Sequence, residues 1–450
     1  MSESLEQIRA GLAKAGVVGV TIVWADNNGI PRSRTVPLSS LDDAAGRGVG
    51  ITPLFAVFDS HDAITYAHGG LSTPSGDIRL VPQVERITPL AGEPGLAWVP
   101  GRQVGPDGEA WPYDQRARLE RQVAHAADAG LTLLAGFELE FFVSRAGDEP
   151  RPAHSGPAYS PHALLQLDGF AASVLADLEA NGVGVGQFHA EYGLAQVEVS
   201  LAPADPVTAA DRQLLARQTI HAAARASGLR VSFAPLVSVE GVGNGLHLHV
   251  SASRGDTNLL ADNAGRGIPD GDGAHFLAGL LRDLPAIGAL SAPSVPSLMR
   301  RRPGYFAGAY WFWGVENREA PLRYVPASRF VGVHNANVEL KAADASANPY
   351  LALAAVVAAG LAGIEDAADL PASIQEDPGA WGDEQRADRG ISRLPTTPED
   401  QERALIDNTR IADVLGEPLL GAFLAVRHSD AAFAGAHSPE ETVAAHRWRY

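Results

Sequence analysis

The chain has no cysteine. Disulfides, thiolate nucleophiles, iron–sulfur clusters and cysteine-bound zinc are therefore excluded. Positive charge is scarce: 35 lysines and arginines stand against 53 acidic residues, a formal net charge of −18 at pH 7. A field of that sign repels nucleic-acid phosphates and anionic membrane surfaces, so neither is expected as a partner, and it reads first as a solvated acidic surface. Long apolar runs are lacking too. The most apolar stretch, 351–364, is rich in Ala and Gly and falls short of the roughly 20 residues a membrane span needs. With Pro349 suited to its first turn, it predicts a buried helix. Residues 1–19 carry Glu3, Glu6, Arg9 and Lys14 without an apolar core, so no secretory signal is expected there. These absences predict a soluble cytoplasmic protein. What remains is an ordinary globular balance, 46% hydrophobic and 20% charged over 450 residues, enough for at least two domains.

Turn signals divide the chain. An apolar run at 18–24, then Asp26-Asn27-Asn28-Gly29, then a second run at 32–36 predict a β-hairpin in a small N-terminal sheet. The Pro- and Gly-rich stretch 82–112 places a domain boundary near residue 108. Beyond it, helical patterns at 114–130, 163–181, 206–228, 273–289 and 348–367 alternate with strand-like runs at 131–144, 195–201, 246–253 and 337–342. That alternation predicts an α+β domain on an antiparallel or mixed sheet. Residues 400–416 and those after Ser438 read as C-terminal helices. The stretches 263–273 and 371–390 read as surface loops.

Four of the strands share one pattern. Side chains alternate with period two. Phe137-Glu138-Leu139-Glu140-Phe141 therefore puts both carboxylates on one face, about 6–7 Å apart. Gln196-Val197-Glu198-Val199-Ser200 presents Gln196, Glu198 and Ser200. Leu246-His247-Leu248-His249-Val250 presents both histidines, and Asn337-Val338-Glu339-Leu340-Lys341 presents Asn337, Glu339 and Lys341. A half-exposed strand with no site also alternates, so each run alone is an ordinary solvent-facing edge. Together they carry six carboxyl or imidazole groups against a single lysine, which a random solvated face does not. Carboxylates in the majority favour hard divalent ions such as Mg2+ or Mn2+ over zinc, and two such ions suit phosphoryl transfer. A zinc hydrolase is the rival metal-site reading.

Arg300, Arg301 and Arg302 precede Pro303-Gly304, and Arg318 and Arg323 follow. Guanidinium groups grip carboxylates and phosphates bidentately, although a triple-arginine run also suits a solvated turn or a subunit contact. Gly241-Val242-Gly243-Asn244-Gly245 allows close backbone approach to a ligand but is neither a Walker loop nor a dinucleotide fingerprint.

Read in order, these segments resemble glutamine synthetase over nearly the whole chain. Glu138-Leu139-Glu140-Phe141 is similar to the family's Glu-x-Glu-Phe strand. His189-Ala190-Glu191 with Gln196-Val197-Glu198 is similar to its His-x-Glu…Gln-x-Glu segment. The stretch Gly243-Asn244-Gly245-Leu246-His247-Leu248-His249-Val250-Ser251 matches Gly-Ser-Gly-Met-His-x-His-x-Ser. Three further matches are residues 297–305, Trp313-Gly314-Val315-Glu316-Asn317-Arg318, and the Asp-x-x-x-Asn-Pro-Tyr-Leu signature at 344–351. The resemblance implies a small N-terminal β-grasp domain (1–108) and a catalytic domain (109–450) with a curved antiparallel sheet. It also implies a homo-oligomeric ring of six subunits or a stacked dodecamer, with sites between neighbours. Glu140, Glu191 and Glu198 would hold one divalent ion, and Glu138, His247 and Glu339 a second. His249 and Ser251 would lie near ATP, Arg318 and Arg323 would grip the transferring phosphate and the nucleotide, and Gly243, Arg300 and Lys341 would orient glutamate. The reaction implied is ATP-driven amide formation through γ-glutamyl phosphate.

Departures from the family pattern bear on the amine. Phe306 stands where ammonia-using members carry a Glu that binds and deprotonates ammonium, and no Asp-Gly-Ser-Ser segment is found in the N-terminal part. An aromatic ring takes no proton but contacts an alkyl chain or a cation. The expected acceptor is therefore an organic amine such as a polyamine, ethanolamine or another alkylamine. Ammonia-using glutamine synthetase and a ring-forming protein without catalysis are the alternatives. Lys341 replaces a family Arg, keeping the charge but losing the fork, and Ser392 stands where bacterial assimilatory members carry a regulatory Tyr.

Overall fold

The computed structural model describes residues 4–450 apart from 263, 264, 266, 329 and 331. In the N-terminal part, β1 (Gly19–Ala25) and β2 (Pro31–Pro37) form the expected antiparallel hairpin, with Gly19 opposite Pro37. With β3 (Val49–Ile51), β4 (Ile78–Pro82), β5 (Thr88–Pro89) and β6 (Leu96–Val104) they make a sheet of order β2-β1-β6-β4-β3, with β5 beside β6. β1 lies parallel to β6 and is buried along its whole length, which fits its largely apolar sequence, and its one polar side chain, Thr21, bonds Thr35 on β2 at 3.0 Å. β2 alternates exposed and half-buried residues, as a polar edge strand should.

The hairpin's turn is not a surface turn. Asp26, Asn27 and Asn28 are buried, because the turn is driven into the second part of the chain. Arg217 donates to the Gly29 carbonyl at 3.0 Å, and Asn348 donates to the Ala25 and Asp26 carbonyls at 3.2 and 2.9 Å. Asn348 also caps the helix Pro349–Glu365 by accepting from Tyr350 and Leu351 N–H. A single side chain thus starts the buried helix and ties the N-terminal sheet to it.

The second part is built on nine strands among the described residues. They are β7 (Thr132–Arg145), β8 (Val185–Ala190), β9 (Gln196–Leu201), β10 (Leu229–Ser232), β11 (Leu246–Arg254), β12 (Thr257–Asn258), β13 (Trp313–Val315), β14 (Leu322–Val325) and β15 (Asn337–Leu340). The order is β13-β14-β15-β11-β7-β9-β8, with β10 beside β7 and β12 beside β11. Every pairing is antiparallel except β13 with β14, so the sheet is mixed. Its apolar face, including Phe137, Leu139, Phe141, Val197, Leu248 and Val338, joins one core with the helices Gln115–Asp128, Pro206–Ala226, Gly271–Ser291 and Pro349–Glu365. The last two helices approach closely because Gly279 faces Gly363 and the Phe276 ring lies against Gly360. A side chain at any of these three glycines would collide with the partner helix.

Two helix readings and one loop reading need correction. Residues 163–181 are two helices, Pro161–Leu165 and Asp168–Ala180, because Leu167 leaves helical geometry to enter the core. Residues 400–416 also break: Pro398–Asp407 ends at Asn408, whose side chain accepts from Ile411 N–H and starts a new helix. That helix runs to Gly435, past a left-handed kink at Gly416 (φ 72°) that had read as a stop. The 371–390 stretch holds a short helix, Asp383–Asp388. Part of the 263–273 stretch lies outside the described residues; its end is the first turn of Gly271–Ser291.

Candidate active site

The strand register brings the polar positions side by side. Glu138 pairs with His247 on β11 and with Ser200 on β9, Glu140 with Glu198, and Glu198 in turn with His189 on β8. His249 pairs with Glu339 on β15, and Glu339 with Arg323 on β14. The polar faces of six strands therefore become one surface opposite the helix-backed core. Three groups form there, each with one ligand atom per residue and all atoms within 4.8 Å of one another: Glu138–His247–Glu339, Glu140–Glu198–His247, and His189–Glu191–Glu198. The sheet geometry brings together all six of the predicted cation-ligand residues.

The contacts inside the cluster are short. His247 Nδ1 lies 3.1 Å from Glu138 and 3.4 Å from Glu339, and its Nε2 lies 3.5 Å from Glu140. Lys341 Nζ sits 3.2 Å from Glu339 and 3.3 Å from His247. Arg323 donates to Glu339 at 2.9 Å. His249 lies 2.9 Å from Asn337 Oδ1 and 3.4 Å from Glu138. Glu140 accepts from Gly245 N–H at 2.7 Å and from Gln196 at 2.9 Å. Glu191 accepts from the Tyr159 hydroxyl at 2.9 Å and lies 3.1 Å from His189.

Charge is unevenly compensated. Burial opposes ionisation of Glu138, but hydrogen bonds from His247 and His249 hold it well below the usual carboxylate range. Burial likewise opposes Glu339, yet Lys341, His247 and His249 bring it down to about 2. At Glu198 the opposing charge of Lys341 is outweighed. Burial and the charges of Glu138, Glu140 and Glu191 push it up to about 9. Four carboxylates meeting with too little positive charge are what a divalent cation would neutralise, and an oxygen-rich donor set with one or two imidazoles suits a hard ion.

The other predicted residues fall in two groups. Ser251 follows His247 and His249 along the polar face of β11, opposite Leu134. Gly243 (φ 89°) presses on Arg300; an added Cβ would sit 2.6 Å from Arg300 Cγ and from the Pro235 carbonyl oxygen. Arg300 is buried and donates to the Ala343 carbonyl at 2.7 Å. The glycine run 241–244 lines a cavity of about 250 Å3 with Gln196, Phe142 and Leu194, next to Glu140 through the Gln196 amide. Arg318 and Phe306 are exposed, on the loops that follow Arg300 and β13. Sequence reasoning missed the ligand-grade position of His189, whose short strand was not expected, and the Tyr159 hydroxyl on Glu191. The histidine's signal was present in the alternation of β8, where Gln187, His189 and Glu191 fall two apart.

A mixed sheet backed by helices on one face, and carrying converging carboxylates and imidazoles on the other, defines an α+β protein with a candidate cation centre. Comparison with known proteins narrows this. Residues 112–443 match the glutamine synthetase catalytic domain. Gamma-glutamylpolyamine synthetase GlnA3 of Streptomyces coelicolor is 43% identical over 98% of this chain and 95% of its own. Glutamine synthetase of Halobacterium salinarum is 30% identical over 95% of this chain and 93% of its own. A crystal structure of a novel glutamine synthase homolog superposes with a TM-score of 0.86 at 32% identity, covering 96% of this chain and 99% of that one. Ligand-free GmaS does so at 0.83 and 26%, covering 98% of each. The chain belongs to the glutamine synthetase family.

Proposed function

We propose that the protein is an ATP-dependent ligase that joins the side-chain carboxylate of glutamate to an organic amine. The observation that carries this is the convergence of Glu138, Glu140, Glu191, Glu198, His247 and Glu339 on one face of the sheet, in a chain whose Streptomyces relative is a gamma-glutamylpolyamine synthetase.

A carboxylate is a poor electrophile, and ATP converts it to γ-glutamyl phosphate, which an amine can attack. Glu140, Glu191 and Glu198 would hold one Mg2+ or Mn2+ ion, and Glu138, His247 and Glu339 a second. Bound there, such ions supply charge neutralisation for phosphoryl transfer. The chain's own groups do the remaining work. Arg318 and Arg323 face the transferring phosphate and the nucleotide, which His249 and Ser251 border. Gly243 keeps its loop thin enough for glutamate, which Arg300 and Lys341 orient; Lys341, held between Glu339 and His247, places a positive charge where the carboxylate enters. Phe306 lies against the acceptor amine and disfavours ammonia, because it offers no carboxylate to bind or deprotonate it.

We also assign the N-terminal sheet to a β-grasp domain ending near residue 108, and the assembly to a cytoplasmic ring of six subunits or two stacked rings in which each N-terminal domain completes a neighbour's site. The separate apolar cluster of the N-terminal part, built on Val20, Ile22, Leu41, Leu80 and Val99, supports the division. The absence, among the described residues, of any helix long and apolar enough to cross a membrane is compatible with that location.

The test offers the purified protein ATP, Mg2+ and glutamate with ammonium, ethanolamine or putrescine in turn, and measures phosphate release. Turnover with an organic amine is expected. Turnover with ammonium alone overturns the amine assignment, and none with any amine overturns the ligase.

A further inference from the structure

The turn 305–308 carries two exposed aromatic side chains, Tyr305 and Phe306, 40% and 57% exposed. Neither is a stray surface residue. Phe306 is held at φ 52°, a left-handed conformation that a bulky side chain adopts only when its surroundings impose it. In that conformation Phe306 N–H donates to the Glu319 carboxylate, Oε1, at 3.2 Å. Gly308 packs on Pro321, and the Pro321 carbonyl accepts from Lys341 N–H at 2.9 Å. Backbone contacts thus link the turn and the Glu319 segment to Lys341, whose Nζ lies 3.2 Å from Glu339 of the candidate cation cluster. The glycine loop lies on the same side, since Arg302, just before the turn, donates to the Val239 carbonyl at 3.4 Å and stacks 4.2 Å over the Tyr305 ring.

Glu319 is half-buried, and only one of its oxygens is engaged by a hydrogen bond among the described residues. Burial pushes its carboxyl above the usual range, Asp377 adds to that, and Lys341 opposes it. An arginine or lysine bonded to it would have offset this cost, yet no side-chain cation reaches it within ion-pair distance among the described residues. A carboxylate bonded to the backbone of a residue that carries an exposed aromatic ring fits an ammonium group carried on an alkyl chain: the charge meets the second oxygen, and the methylenes lie along the ring.

We propose that Glu319 and Phe306 together form the subsite for the acceptor amine, with the Glu319 carboxylate receiving an ammonium group of an alkyl di- or polyamine and the Phe306 ring covering its methylenes. The proposal rests on the amine-ligase reading and adds the residue that would select a cationic acceptor. Glu319 replaces neither metal ligands nor phosphate-binding arginines, so it should act on amine binding rather than on glutamate or ATP.

Glu319→Gln tests it, because the amide oxygen still accepts from Phe306 N–H and so preserves the turn while removing the charge. The KM for putrescine should rise about tenfold or more, with the KM for glutamate within about twofold of wild type, and Glu319→Asp should recover part of the loss. An unchanged putrescine KM, or equal rises for glutamate and putrescine, overturns the proposal. Direct binding of putrescine by calorimetry keeps this apart from the ligase reading. If wild type turns over no amine but binds putrescine, and Glu319→Gln does not, the subsite stands and the ligase falls. If wild type binds no putrescine, the subsite falls whatever the turnover.

Discussion

Glu198 is the residue on which the centre's electrostatics turn. It sits where Glu138, Glu140 and Glu191 all act on it, and its position in two of the three ligand groups makes it the bridge between them. At neutral pH and without a cation it holds a proton, because its carboxyl is raised to about 9. Gln at this position mimics that protonated state. Glu198→Gln should therefore leave the cation-free melting temperature nearly unchanged, while Mn2+ affinity and phosphate release collapse, the latter by about 10²–10³ or more. Retained activity in the variant would remove Glu198 from the machinery. Phe306 makes the complementary case for selectivity. Phe306→Glu places a second carboxylate beside Glu319, so the ratio of kcat/KM for ammonium to that for putrescine should rise about tenfold or more; an unchanged ratio would mean that the ring does not decide the acceptor.

At the level of elements, what could be read was set by period. Alternation placed Glu138 with Glu140, and His247 with His249, on one face because a strand leaves a side chain no other choice. Register is not local. Nothing in β7 alone says that Glu138 will meet His247 of β11 rather than a residue of β15, and the family pattern supplied that order before the geometry did. β8 escaped notice because its alternation is polar and short, and His189 went with it. The Asp26–Gly29 turn was legible as a turn but not as a buried one, since its burial depends on Asn348 and Arg217, far along the chain. The helix errors were not local either: Leu167 and Asn408 break the helices through a core contact and a cap, and the helix runs on through the positive φ of Gly416. The glycine loop gives the prediction at this scale. Its left-handed Gly243 lies against Arg300 and the Pro235 carbonyl, so Gly243→Ala must both strain the backbone and push Arg300 aside. A loss of about 1–3 kcal/mol in chemical denaturation is expected, with a raised KM for glutamate. A variant as stable and as active as wild type would show that the loop yields freely.

Across the whole molecule, the excess of negative charge on one sheet face should appear as a link between pH, cations and stability. The unfolded chain releases the Glu198 proton near 4.5, whereas the folded chain keeps it to about 9. Between those values the folded state holds more protons than the unfolded one, so stability is greatest at the acidic end of that window and is lost as pH rises through about 9. His189, raised mainly by its hydrogen bond to Glu191, and His249, raised by Glu138 and Glu339 against its burial, act in the same direction above their ordinary range. Glu339, lowered to about 2, and Glu138 lose their contributions only under acid, outside this window. One proton of difference is worth about 1.4 kcal/mol per pH unit, so roughly 2–3 kcal/mol should vanish between about pH 7 and about pH 9. A divalent cation in the cluster takes the place of that proton and supplies charge that does not titrate. With chelator present, the melting temperature should fall across this range; with saturating Mn2+ it should stay nearly level, and Glu198→Gln with chelator should also fall less. Calorimetry in buffers of different ionisation enthalpy should register proton release when Mn2+ binds at neutral pH. Parallel pH profiles with and without the cation would mean that the six side chains meet without forming its site.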